Sequence, residues 1–181
     1  MTSAATPQIP PRPGDPPPAL TVGDLRFPSR FFWGAQTAAT QVEGGTIDND
    51  FTRWAETPGH ISDGSKPNPG LDHWNRLEAD YRHLAARGHN AHALTVAGAR
   101  VEPQPEQWDL AALAHYRQEI LIARRSAIEP MVTPLHFALP LWVADNGGIT
   151  NPNAPELFAR FVTKCAETFG DQVTWWNTLN E

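Results

Sequence analysis

Two spacings of apolar residues alternate along this chain. Short apolar runs at residues 31–35, 91–96, 128–135 and 173–179 read as strands of a buried sheet. Between them, apolar side chains recur at three and four residues: Trp74, Leu77, Tyr81 and Leu84; then Leu110, Leu113, Ile120 and Leu121; then Leu157, Phe158, Phe161, Val162, Cys165 and Phe169. These sets predict three helices, the first capped by Asp72 and stopped by Gly88. The glycine-bearing stretch 41–45 predicts a loop or helical turn, and residues 57–70, dense in Gly, Pro, Ser and Asp, predict an exposed connection. Strand and helix units that repeat in this way build a parallel sheet. They fit either a small doubly wound sheet or half of an eight-stranded barrel, and periodicity does not separate the two. No glycine-rich dinucleotide fingerprint and no Gly-Lys-Ser/Thr phosphate loop follows a strand, which counts against nucleotide-binding versions of the open sheet.

Composition narrows the setting. The chain has 181 residues and a formal charge of -6 without long runs of one sign, so neither a nucleic-acid surface nor an anionic-membrane surface is expected. Cys165 is the sole cysteine; it falls at an apolar helical position and reads as a core thiol, and a reducing cytoplasm is the expected compartment. Residues 1–24 carry Pro7, Pro10, Pro11, Pro13, Pro16, Pro17 and Pro18 with little to bury, which predicts an unstructured leader ahead of a single domain over 25–181. No secretory signal and no spanning stretch is visible.

The candidate chemistry collects at the C-terminal ends of the strands. Gln41 follows the first strand shortly, His136 ends the third, and Asn180 and Glu181 end the fourth. In parallel barrels that edge carries the active site. Amides, an imidazole and a carboxyl, with Trp33, Phe137 and Trp142 nearby in sequence, suit a polyhydroxylated ligand such as a sugar: the polar groups grip hydroxyls and an aromatic face covers the ring. Other groupings carry less. His83, His89 and His92 spread over a helix end, a loop and a strand, so no metal site and no cofactor is expected. Asp48-Asn49-Asp50 lacks the glycine and distal Glu of a calcium loop, and Trp74 and Phe161 read as core residues.

Four ordered blocks carry a family resemblance. Residues 27–44, with Phe31-Phe32-Trp33-Gly34-Ala35-Gln36-Thr37-Ala38-Ala39-Thr40-Gln41-Val42-Glu43-Gly44 at their centre, resemble the N-terminal signature of the family 1 glycoside hydrolases. Asp72-His73-Trp74 through Gly88 resembles the first long barrel helix of that family. Ile128-Glu129-Pro130-Met131-Val132-Thr133-Pro134-Leu135-His136-Phe137 resembles its third strand, and Phe169-Gly170-Asp171 through Asn180-Glu181 its fourth. The resemblance implies the first four β/α units of a (β/α)8 TIM barrel, a half-barrel of a β-glucosidase-like enzyme that hydrolyses terminal β-linked sugars with retention. By the same resemblance Gln41 and His136 contact hydroxyls of the terminal sugar, Asn180 holds its 2-hydroxyl, and Glu181 is the acid/base.

Retention needs a second carboxylate as nucleophile, about 5 to 5.5 Å from the first. In the family that Glu lies far downstream of the segment matched here, and Glu43, Glu102 and Glu129 sit in blocks with other roles. The isolated chain is therefore expected to be inactive, with self-association or a complementary C-terminal half as its expected partner; the alternative is a non-catalytic carbohydrate-binding or scaffold remnant. Two departures bear on this. Where the family has Tyr-Arg-Phe-Ser this chain has His92-Ala93-Leu94-Thr95, so Ala93 stands at the position of the Arg that steadies the nucleophile, and Gly98 replaces a family Trp, while Arg100 and Pro103 keep their places.

Overall fold

The structure is a computed structural model that describes residues 23, 26–45 and 47–181. The leader expected over 1–24 lies, Gly23 apart, outside the described residues. The chain divides into two units, residues 1–31 and 32–181. In the described part of the first, the Phe31 amide donates to the Pro28 carbonyl at 3.0 Å and the rings of Phe27 and Phe31 lie 4.6 Å apart.

The second unit alternates strands and helices. Its elements are β1 (Gly34–Gln36), α1 (Ala39–Val42), α2 (Asp50–Ala55), α3 (His73–Ala86), β2 (Ala91–Thr95), α4 (Gly98–Val101), α5 (Leu110–Arg125), β3 (Glu129–Thr133), β4 (Leu135–His136), α6 (Leu141–Ala144), α7 (Ala154–Phe169), β5 (Trp175–Trp176) and β6 (Leu179–Asn180). Among the described residues, β1, β2, β3 and β5 pair in that order, all parallel, and β4 pairs parallel with β6. The third and fourth strands of the sequence pattern are thus each split in two. Pro134 has no amide to give the ladder, which ends β3, and the chain resumes as β4. The Asn177 amide donates to the Val132 carbonyl at 3.0 Å and keeps β5 and β6 in line.

Register assigns the two faces of the sheet. Leu94, Val132 and Trp176 form one row, packed with Val101, Tyr116 and Phe169 in the core beneath the helices. Gln36, Ala93, Met131 and Trp175 form the alternate row, in which Gln36 and Trp175 are exposed and the other two half-buried. One face is therefore covered by helices and the other, which would line a barrel lumen, is open. The fourth strand does not lie in a buried sheet as its apolar run suggested: Trp175 is 46% and Leu179 57% exposed. In this chain that strand is a sheet edge, and apolar character alone does not bury a strand that nothing covers.

The helices follow their apolar faces. In α3 Leu77 and Tyr81 are buried, and in α7 Cys165 and Phe169 are. Gly88, at φ 81°, follows α3 and takes the left-handed conformation a helix stop favours. Asp72 does not cap that helix. It sits at φ 58°, and its carboxylate accepts instead from the Asn75 side-chain amide at 2.7 Å. Asn49 caps α2 and Asp109 caps α5, accepting from the amides of Thr52 (2.7 Å) and Ala112 (2.9 Å).

Candidate active site

Three of the four site residues expected from sequence meet at the C-terminal end of the sheet. His136 ends β4 and is buried; Asn180 ends β6, its partner strand, in direct register. The Asn180 Nδ2 lies 2.7 Å from His136 Nε2, and the Glu181 carboxylate oxygen lies 3.7 Å from the same nitrogen, with its side chain 67% exposed. Pairing of two short strands thus places an amide, an imidazole and a carboxyl around one point. Gln41 does not join them by contact. It is exposed on α1 and, among the described residues, makes no side-chain hydrogen bond to the other three.

Behind the trio lie two threonines that sequence reasoning left aside. Thr95, at the end of β2, donates its hydroxyl to the Thr37 carbonyl at 2.9 Å and contacts His136 Nδ1 at 3.0 Å. Each is a polar residue at the C-terminal end of an otherwise apolar strand, which was the available signal. The loop after β4 is fastened from α2: Asp50 accepts from the Leu139 amide at 2.7 Å, and its own amide donates to the Leu139 carbonyl at 3.0 Å.

The three aromatics divide. Phe137 stays beside the site, its ring 5.1 Å from that of His136 and 5.0 Å from that of Phe51. Trp33 belongs to the other end of the sheet, where its amide and carbonyl bond Asn90, the residue before β2, at 2.7 and 2.8 Å. It precedes β1, and the end of a parallel strand at which chemistry collects is the opposite one. Trp142 turns its indole N–H onto the Glu102 carbonyl at 2.8 Å and lines an apolar cavity of about 250 Å3 with Leu135, Phe158, Phe161 and Leu179. That cavity lies under the strand residues that alternate with His136 and Asn180, on the helix side, and has no part in the site.

Four other glutamates, three of them buried, are occupied. Glu43 accepts from Arg100 Nε and from the Tyr116 hydroxyl, both at 2.7 Å; burial pushes its pKa up to about 7 against those two partners. Gly44 beside it, at φ 76°, could not carry a side chain, since a Cβ would sit 2.3 Å from the Pro69 carbonyl oxygen. Glu102 pairs with Arg160, and Glu129 with Arg124 at 3.4 Å. Glu119, from α5, takes hydrogen bonds from the Tyr81 hydroxyl at 2.9 Å and from His73 at 3.2 Å; the latter also holds Asp80 at 2.7 Å.

His83, His89 and His92 do not gather. His92 is buried between Tyr81 and Thr37, at 2.9 and 3.0 Å, whereas His83 is exposed on α3 and His89 bonds the Leu84 carbonyl at 3.3 Å. Ala93 stands on the open face in line with Gln36 and Met131.

The sequence profile of glycosyl hydrolase family 1 matches residues 24–181. The chain belongs to that family. Thermostable beta-glucosidase B of Thermobispora bispora is 32% identical over 163 residues, which are 88% of this chain and 34% of that protein. Beta-glucosidase A of Thermotoga maritima is 30% identical, over 86% of this chain and 36% of its own length. Among solved structures, beta-glycosidase BGL167 superposes with a TM-score of 0.80 at 35% identity, covering 86% of this chain and 37% of that one. A beta-glucosidase from Thermotoga maritima in complex with castanospermine gives 0.81 at 30% identity, over 86% and 37%. The family 1 chain described here thus spans about a third of the length of the relatives it matches, and its sheet is part of the (β/α) barrel those structures share.

Proposed function

We propose that this chain supplies the acid/base side of a retaining β-glycosidase site that acts on terminal β-linked sugars, with β-glucosides as the preferred substrates. The observation that carries the reading is the meeting of His136, Asn180 and Glu181 at the C-terminal end of the paired strands. Glu181 protonates the leaving oxygen and then deprotonates the incoming water, while His136, Asn180 and Gln41 hold sugar hydroxyls. Gln41 reaches its hydroxyl from α1 without touching the other three.

The nucleophile comes from another segment of the barrel. Glu43, Glu102, Glu119 and Glu129 are each committed to a cationic partner, which supports assigning that role elsewhere. The partner of this chain is accordingly the remainder of the barrel, or a second copy that shields the exposed edge of β5 and β6. Among the described residues, no helix is long and apolar enough to cross a membrane. We place the protein in the cytoplasm because Cys165, its sole cysteine, is a buried free thiol and permits no intrachain disulfide.

A non-catalytic, sugar-binding reading has one observation in its favour: Ala93 stands where a cation would steady the nucleophile. Hydrolysis separates the two. The isolated chain leaves an aryl β-glucoside intact; joined to the remaining barrel strands it turns the substrate over, and Glu181→Gln sharply lowers that turnover when the leaving phenol is basic. A joined protein that binds castanospermine without turnover would establish the binding reading instead.

A further inference from the structure

A hydroxyl has one hydrogen to give. That of Thr95 is spent on the Thr37 carbonyl oxygen, which can only accept. The 3.0 Å contact between Thr95 Oγ1 and His136 Nδ1 must then take its proton from the ring. We propose that Thr95 is a positioning residue that holds His136 in its Nδ1–H form and so keeps Nε2 an acceptor on the ligand side of the site. The proposal rests on the reading of His136 as a sugar contact.

A second contact favours the same tautomer. Asn180 Nδ2 lies 2.7 Å from Nε2, and an amide nitrogen can only donate, so Nε2 accepts. The ring is buried and cannot turn to water for another arrangement. Nε2 has one lone pair, so a hydroxyl that meets it takes the place of the Asn180 donor, has to donate, and leaves its oxygen free to accept from that amide. The site selects groups that carry a hydrogen; a methyl ether or a fluorine in that place has none to give.

The same device recurs one layer deeper. The Tyr81 hydroxyl donates to Glu119, so it accepts from His92 Nδ1, and His92 Nε2 accepts from the Thr37 hydroxyl. Burial pushes His92 down to about 4, which keeps it neutral and able to accept. Thr37 serves both rings through different atoms, its carbonyl for the Thr95 branch and its hydroxyl for His92. The two branches are thus coupled in geometry without forming a proton path.

The test is a long-range proton–nitrogen correlation spectrum of the full chain labelled with 15N-histidine, at about pH 8. The expected result is a pyrrole-like Nδ1 and a pyridine-like Nε2 for His136. Thr95→Val, which keeps the shape and loses the acceptor, shifts the population toward Nε2–H, and Thr95→Ser restores the original form. A pyrrole-like Nε2 in the unaltered chain would overturn the proposal, whether or not the valine variant folds. So would a folded Thr95→Val chain whose His136 shifts match the parent. Castanospermine added to the joined barrel, labelled in the same way, reads the sugar assignment separately, because a silent His136 signal in a protein that binds it removes that assignment while the tautomer has already been measured.

Discussion

His73 and His92 show how burial and partners decide a histidine's charge. Burial alone would pull His73 down, but the hydrogen bonds and charges of Glu119 and Asp80 more than offset it and lift the imidazole to about 9. His92 lacks a carboxylate in contact, and burial pushes it to about 4. The ordinary value for both is 6.5. The stabilisation from His73 is therefore complete below pH 6.5 and is lost as pH rises through about 9. His92 acts in the opposite sense: its neutral form is favoured by folding, so stability falls as pH drops from 6.5 toward 4. Glu43, raised by burial from 4.5 to about 7, loses stability with rising pH only across that lower window. Urea midpoints should thus decline between about pH 7 and 9, by about 2 to 3 kcal/mol in unfolding free energy. His73→Gln should be less stable throughout and should flatten that alkaline limb.

At the scale of elements, α7 holds the weakest strand. Phe169 is fully buried, and its ring stacks on that of Trp176 in β5 at 6.1 Å and 14°. Beside it, Arg117 from α5 forms a two-pronged ion pair with Asp171 at 2.6 and 2.8 Å and also donates to the Thr168 carbonyl, tying the end of α7 to the helix layer. Phe169→Ala should cost about 3 to 5 kcal/mol in urea unfolding, and it should loosen β5 before the rest of the sheet, visible as faster amide exchange at Trp176 and Asn177. The helices that carry these contacts were legible in sequence, because their spacing of three and four residues is imposed by one covered face. Strand ends were less so. An apolar run does not say whether a strand is central or an edge, which is why 173–179 read as buried, nor on which end of the sheet a neighbouring aromatic falls, which is why Trp33 read as a site residue. His136, Asn180 and Glu181 were legible as strand-end polar groups. Thr95 was not, since its importance comes from which atom its one hydrogen is given to.

For the whole molecule, the open sheet face and the exposed edge have one explanation. Trp175, Leu179 and the apolar cavity beneath Leu135 and Leu179 are surfaces that the next barrel units would cover, because a right-handed crossover after β6 returns a helix to the side of the sheet that α7 occupies. The chain spans about a third of the length of the relatives it matches, which leaves them further chain with which to complete a barrel. In a barrel so completed, Glu181 is proposed to be the proton donor to the leaving group. The direct measurement is kcat/KM of the joined barrel, with Glu181 or with Glu181→Gln, on a series of aryl β-glucosides of graded leaving-group basicity. The expected loss is roughly 10²- to 10⁴-fold for basic leaving groups that need a proton, shrinking toward none for dinitrophenolate, which needs no proton. An equal loss across the series, or no loss at all, would contradict it.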